Sequence, residues 1–271
     1  MGAMRTVEVV AKTVLTPSRI PGVDYSLNPY IGCLHGCRYC YVARMPHIRA
    51  RGLPWGTFVE AKANAPELLR RELPRARPGT VVIGISTDPY QPPERRLRIT
   101  RRILEVLSDL GGVAGAFEIR MLTKSPLVLR DVRLLGELDA EVGLTVTTDS
   151  EEVRRVFEPG APPIPARVAA LRELKRAGLR TYAFVGPMLP MDPERLVGML
   201  AGAVDRVVLD RMNYPWRVRD LYHAHGWDHA LEEEFFVDTA REIIELFSRE
   251  GVRVEPTRRW AARLRRGFSG L

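Results

Sequence analysis

The sequence predicts an α/β fold built on a parallel sheet, and three observations carry that reading. Short, nearly continuous apolar runs such as Thr80-Val81-Val82-Ile83-Gly84-Ile85 lack the alternation of a half-exposed strand, as strands buried on both faces do. These runs alternate with amphipathic stripes of helical period, giving six strand-then-helix units joined by short connections. Several runs end in polar clusters, and in parallel barrels active sites gather at the C-terminal ends of the strands.

Residues 24–32, with Tyr25, Leu27, Tyr30 and Ile31 interrupted by Asn28-Pro29, are the first strand. Residues 59–73 read as an amphipathic helix stopped by Pro74. The second strand, 80–85, ends in Ser86-Thr87-Asp88-Pro89-Tyr90-Gln91-Pro92-Pro93-Glu94. A helical stripe of Ile99, Ile103, Val106, Leu107 and Leu110 closes at Gly111-Gly112, and strand 117–122 ends in Thr123-Lys124-Ser125-Pro126. Helix 127–138 and strand 142–148 follow, and Pro165 opens the next helix, which Gly178 caps. Strand 181–185 leads to Asp192, an N-cap with Pro193 in the first helical position, for a helix running to 204. Residues 206–210 are the sixth strand. A strong helix spans 232–250, with Phe236, Ala240, Ile243, Ile244 and Phe247 on one face, before a short segment at 252–255 and a basic tail at 258–266.

The chain has 271 residues, 45% of them hydrophobic, enough for one large barrel domain or two ordinary ones. No run approaches the roughly 18 apolar residues of a membrane span, and residues 1–12 carry no apolar signal region. Net charge is +8, and only four of the 41 basic residues are lysine. GC-rich coding and phosphate recognition by guanidinium forks both account for that preference. One glutamine and three asparagines are a shortage of thermolabile amides that fits a thermophile.

All three cysteines fall within Cys33-Leu34-His35-Gly36-Cys37-Arg38-Tyr39-Cys40. Three thiolates so spaced can converge on one centre, and soft sulfur ligands select zinc, copper(I) or an iron–sulfur cluster. A closed zinc site needs a fourth ligand, for which His35 or His47 is nearest. A four-iron cluster on three cysteines leaves one iron without a protein ligand, the open position that chemistry requires. Buried thiols without a metal are the remaining alternative. The absence of a disulfide framework points to a reducing cytoplasm.

The C-x3-C-x2-C spacing with Tyr39 just before the last cysteine resembles the radical S-adenosylmethionine (SAM) superfamily. The strand-end motifs at 86–94, Thr123-Lys124-Ser125 with Leu129-Arg130-Asp131, Thr145-Val146-Thr147-Thr148 and Phe157-Glu158-Pro159 resemble its spore photoproduct lyase-like branch, over roughly residues 25–190. The resemblance implies a partial, open TIM-like (βα)6 barrel over 25–212, an N-terminal segment at 1–24, and a helical C-terminal extension at 213–271 packed on the barrel. It implies a [4Fe–4S] cluster on Cys33, Cys37 and Cys40, whose unligated iron is chelated by the amino and carboxylate groups of SAM. An electron from a donor such as flavodoxin or ferredoxin then splits SAM into methionine and a 5′-deoxyadenosyl radical. By position, Tyr39 lies beside the adenine, Thr87 and Asp88 at the SAM amino group, and Lys124 at its carboxylate. Thr145 and Thr147 lie near the ribose, with Thr145 where serine is expected; Glu158 and Arg167 are additional candidates. A lyase of the spore photoproduct type, as the resemblance describes it, also uses a further cysteine as hydrogen donor. Residues 83–86 read Ile-Gly-Ile-Ser, so no thiol is left for that role, and Tyr90 is the candidate in its place.

The leading substrate expectation is nucleic acid, DNA or RNA, from the overall basicity, the arginines at 95, 96, 98, 101 and 102, and the arginine tail with Trp260. Each run is equally a solvated helix face. A radical SAM enzyme acting on a peptide or small molecule, and a non-enzymatic cluster or zinc protein, are the other readings. His223, His225 and His229 share neither a helix face nor one loop geometry, so a polar surface segment is expected there rather than a second metal site. The expected protein is a cytoplasmic monomer with no membrane partner.

Overall fold

The computed structural model describes residues 5–257 and 260–261. Its strands are β1 (Arg5–Val9), β2 (Leu15–Pro17), β3 (Tyr25–Leu27), β4 (Tyr30–Ile31), β5 (Phe58–Lys62) and β6 (Thr80–Ile83). They continue with β7 (Glu118–Thr123), β8 (Glu141–Thr145), β9 (Arg180–Val185), β10 (Arg206–Leu209) and β11 (Arg253–Pro256). The main sheet has the order β11-β10-β9-β8-β7-β6-β3-β2, parallel throughout except at the β2–β3 edge. From β3 to β10 it keeps chain order, with helices in each crossover, which is the partial barrel the sequence implied. All five residues of β8 are buried, so its apolar run reflects cover on both faces.

Three segments depart from the sequence reading. Residues 24–32 form two strands in two sheets: Pro29, which has no N–H to donate, follows β3, and the chain then turns into β4 beside β5. Residues 59–62, expected as helix, form β5, because Phe58 to Lys62 pairs in parallel with β1 from Arg5 to Val9. The helix begins only at Ala65, with Pro66 in its first turn. The segment at 252–255 is part of β11, which pairs with β10 as a further parallel strand and ties the C-terminal region to the sheet.

The helix Glu233–Arg249 docks through Phe236, Ala240, Ile243 and Phe247, all fully buried. Each larger side chain there contributes about 1.5–3 kcal/mol by leaving water. Trp260 is 1% exposed, so it packs in the core and offers no stacking face. The arginines at 258, 259, 263, 265 and 266 lie outside the described residues. No described helix is long and apolar enough to cross a membrane.

Candidate active site

The cysteine loop follows β4 and is clamped from two sides. Gly32 and Gly36 take φ of +82° and +59°, the left-handed turns that a side chain resists. On one side the Thr87 hydroxyl donates to the Gly32 carbonyl (2.6 Å), and the Leu34 N–H donates to Gln91 Oε1 (2.9 Å). On the other, the Arg38 N–H donates to the Phe157 carbonyl (2.9 Å) and the Gly160 N–H to the His35 carbonyl (3.0 Å). Gly160 must be glycine for that approach, since a Cβ there would fall 2.2 Å from the Leu34 carbonyl oxygen. The thiols are free; Cys33 and Cys37 are buried and Cys40 half-buried.

Asp88 joins the ends of β6 and β7 to this loop. Its Oδ1 accepts from the Thr123 hydroxyl (2.6 Å) and the Tyr90 N–H (2.9 Å), and its Oδ2 from the Lys124 N–H (2.7 Å). His35 Nδ1 lies 3.3 Å from the same Oδ2. Burial works to raise the carboxyl, but His35 and the hydrogen bonds outweigh it and hold Asp88 down at about 2. Thr87 and Asp88 therefore have their side-chain oxygens committed to the loop and the strand ends. His35, considered above only as a zinc ligand, is one of Asp88's partners.

Glu158 is the second hub. Though fully buried, it accepts at Oε1 from the hydroxyls of Tyr39 and Thr147, the latter at 3.1 Å, with Lys124 Nζ 3.6 Å away. Its Oε2 lies 2.6 Å from Nη2 of the equally buried Arg167, an ion pair whose angles fall short of a hydrogen bond. Arg167 also donates to the carbonyls of Thr145 (3.0 Å) and Pro162 (2.9 Å). Burial would raise the Glu158 carboxyl, yet Arg167 and Lys124 together depress it to about 2. Lys124 Nζ sits 5.9 Å from the centre of the Tyr39 ring. Tyr39, Lys124, Thr147, Glu158 and Arg167 are thus one constellation, and Thr145 joins it through its carbonyl.

Tyr90 is not part of it. The ring is 1% exposed, and its hydroxyl donates to Asp131 Oδ2 (3.1 Å) inside a separate buried network. In that network Arg130 Nη2 bridges Glu94 (2.6 Å) and Asp131 (2.7 Å), Arg101 pairs with Asp131 (2.8 Å), and Tyr30 donates to Glu94. Burial and the Asp131 charge push the Tyr90 phenol well up. The hydrogen-donor role is withdrawn for this residue because its O–H is enclosed and bonded to a carboxylate. Arg101 likewise leaves the proposed basic run as a paired residue. The three histidines diverge: His223 pairs with Asp228, His225 stacks on Trp227 and His229 meets Phe235 edge-on.

Among the described residues, no three His, Cys, Asp or Glu side chains are set to hold a single metal ion. The nearest candidates for a fourth ligand are also placed elsewhere, His35 against Asp88 and His47 exposed on the helix Pro46–Arg49. Burial raises all three thiols, Cys37 to about 12 with Lys124 opposing. Thiols in such surroundings become thiolates only beside a cation, which iron would supply.

The family model of the Radical SAM superfamily matches residues 27–201. The chain belongs to the radical SAM superfamily. An uncharacterized protein of Methanocaldococcus jannaschii is 34% identical over 195 residues, covering 71% of each chain. A protein of Geobacillus sp. named spore photoproduct lyase is 25% identical over 191 residues, which cover 68% of this chain and 51% of that protein. In fold, the chain superposes on a spore photoproduct lyase solved with a dinucleoside spore photoproduct at a TM-score of 0.65. That match covers 92% of this chain and 81% of the other at 15% identity, a likeness of fold. As a radical SAM protein the chain is an enzyme.

Proposed function

We propose that this radical SAM enzyme binds a [4Fe–4S] cluster through Cys33, Cys37 and Cys40, cleaves SAM reductively, and acts on a nucleic-acid substrate. The observation that carries the first part is three free cysteines on a glycine-bent loop with His35 engaged elsewhere, facing a wall of Lys124, Glu158 and Arg167. When bound, the cluster would supply one electron to SAM held on its open iron, giving methionine and a 5′-deoxyadenosyl radical. Lys124 is the residue for the SAM carboxylate: its side chain is 14% exposed, and at 3.6 Å from Glu158 it is held by charge rather than by a hydrogen bond. Tyr39, with its hydroxyl fixed on Glu158, offers its ring to the adenine. Thr147 donates to the same Glu158 oxygen and helps to fix it. Thr87 and Asp88 act one layer back, holding the cysteine loop and the Lys124 backbone in place.

Nucleic acid as substrate is supported by the net charge of +8 and by exposed Arg95, Arg96, Arg98 and Arg102 just past the end of β6. The photoproduct itself fits poorly, since all three cysteines are used by the cluster loop and Tyr90 is enclosed. Anaerobic reconstitution followed by assay of 5′-deoxyadenosine, with and without DNA, RNA and cell extract, tests the reading. Stimulation by nucleic acid is expected. Cleavage indifferent to nucleic acid but stimulated by a protein or small-molecule fraction would contradict the substrate class.

A further inference from the structure

The segments on either side of the barrel mouth share an unusual composition. Residues 38–51 carry four arginines and no carboxylate, and residues 211–219 carry three arginines and no carboxylate. Arg51 pairs with Glu60, and Arg211 with Glu233. The other five, Arg38, Arg44, Arg49, Arg217 and Arg219, are exposed and have no ion-pair partner among the described residues. Elsewhere many arginines are spoken for, as in the Arg130 and Arg206 networks. Asp210 and Asp220 are the carboxylates that flank the second segment in sequence.

Aromatic groups sit among these charges. Tyr214 and Trp216 meet edge to face at 5.4 Å, and the Arg217 guanidinium lies 4.3 Å from the centre of the Tyr214 ring. Trp216 is 61% exposed and Tyr41 38%. Tyr41 directly follows Cys40, and past the second segment Tyr222 and Trp227 meet the ring of Phe157 at 4.9 and 6.0 Å, the residue whose carbonyl accepts the Arg38 N–H of the cysteine loop (2.9 Å). The chain after β10 therefore packs on the residue that anchors the cysteine loop, although β3 and β10 lie five places apart in the main sheet. An exposed indole braced by a second ring, in a field of unpaired guanidinium groups, has the parts of a surface that stacks bases and neutralises phosphates.

We propose that Tyr214 and Trp216, framed by Arg217 and Arg219, form a platform for the unpaired bases of a polynucleotide strand, on the stretch of chain that packs against the anchor of the cluster loop. The proposal rests on the nucleic-acid reading above and narrows it, because stacking needs base faces that a duplex hides. Positive charge alone would hold duplex and single strand alike. The rings make the difference.

The test is fluorescence anisotropy of a labelled 12-mer, single-stranded or duplex, titrated with the cluster-loaded enzyme, with 5′-deoxyadenosine measured in the same samples. The single strand is expected to bind more tightly. Trp216→Ala should weaken it by about 5- to 150-fold, the range for losing one stacked base, with Trp216→Phe restoring most of the affinity. Arg217→Ala with Arg219→Ala should lower the slope of log affinity against log salt by about 1.4, two phosphate contacts on a single strand. Iron content and circular dichroism verify that each variant is folded. Unchanged affinity in Trp216→Ala, or equal binding of duplex, overturns the platform; if nucleic acid still stimulates SAM cleavage, the broader reading survives that loss. Binding of an acidic flavoprotein electron donor that depends on Trp216, with no binding of either oligonucleotide, overturns both and makes this face the electron-entry site.

Discussion

Two buried carboxylate centres stand at the same end of the barrel and are finished differently. At Glu94 and Asp131, Arg130 bridges both acids, Tyr30, Tyr90 and Arg101 supply further donors, and the Thr100 N–H adds another at 3.0 Å. At Glu158, Tyr39 and Thr147 donate to one oxygen, but Arg167 meets the other as an ion pair without hydrogen-bond geometry, and Lys124 stands off at 3.6 Å with its side chain partly exposed. A saturated network holds a loop rigid; a network with one loosely held cation can exchange that cation to a ligand. The first centre braces the segment carrying Thr87, Asp88 and Gln91, and the second is where the proposed function puts the SAM carboxylate. Distance from an acid does not separate the two roles, whereas completeness of hydrogen bonding does.

Four substitutions sharpen or break that contrast. The largest effect belongs to neither centre: Cys37→Ala should abolish the cluster, read as loss of bound iron and of its visible absorbance after anaerobic reconstitution. Next, Arg130→Ala leaves Glu94 and Asp131 buried beside an empty place and should cost about 3–5 kcal/mol of stability in denaturant unfolding. A loss below 1 kcal/mol would show that the scaffold centre is not saturated as described. Lys124→Ala should cost less stability than Arg130→Ala, because Arg167 still pairs with the buried Glu158 carboxylate, while weakening SAM binding by roughly 1.5–3 kcal/mol, one charge-assisted hydrogen bond. If it bound SAM like the parent, the open edge of Glu158 would be a structural edge like the other. Tyr90→Phe removes a single hydrogen bond from an acid that keeps two arginines, so about 0.5–1.5 kcal/mol of stability is expected to go. SAM cleavage should persist in that variant, and its abolition would return Tyr90 to the chemistry.

Much of this was legible in the sequence because it is local. The cysteine spacing, the continuous apolar run at 80–83 and the capping pair Asp192-Pro193 carry their physics in adjacent residues, and Asp192 does accept the Arg195 N–H at 3.1 Å. Contacts between distant residues were not legible. Phe58-Val59-Glu60-Ala61-Lys62 reads as the start of a helix until β1, more than fifty residues earlier in register, pairs with it. Tyr90 looked available in the motif Asp88-Pro89-Tyr90-Gln91, because nothing nearby in sequence announces that Asp131 receives its hydroxyl. Glu158 ranked as a minor candidate for the same reason. Its four partners come from the cysteine loop, the end of β7, the residues after β8 and the helix Ile164–Arg176. The one available signal was Pro159-Gly160 after Phe157-Glu158, a glycine two residues past the C-cap of the helix Glu151–Phe157, which the close approach of Leu34 explains.

The central claim is that three cysteines hold a cluster with one iron left open to SAM. Electron paramagnetic resonance of the reduced, anaerobically reconstituted protein, recorded before and after SAM is added and paired with iron and sulfide analysis, tests it most directly. The account predicts about four irons and four sulfides per chain and a spectrum that changes when SAM binds, with that change reduced in Lys124→Ala. Stoichiometric zinc in protein purified without oxygen, or a cluster spectrum indifferent to SAM, would contradict it.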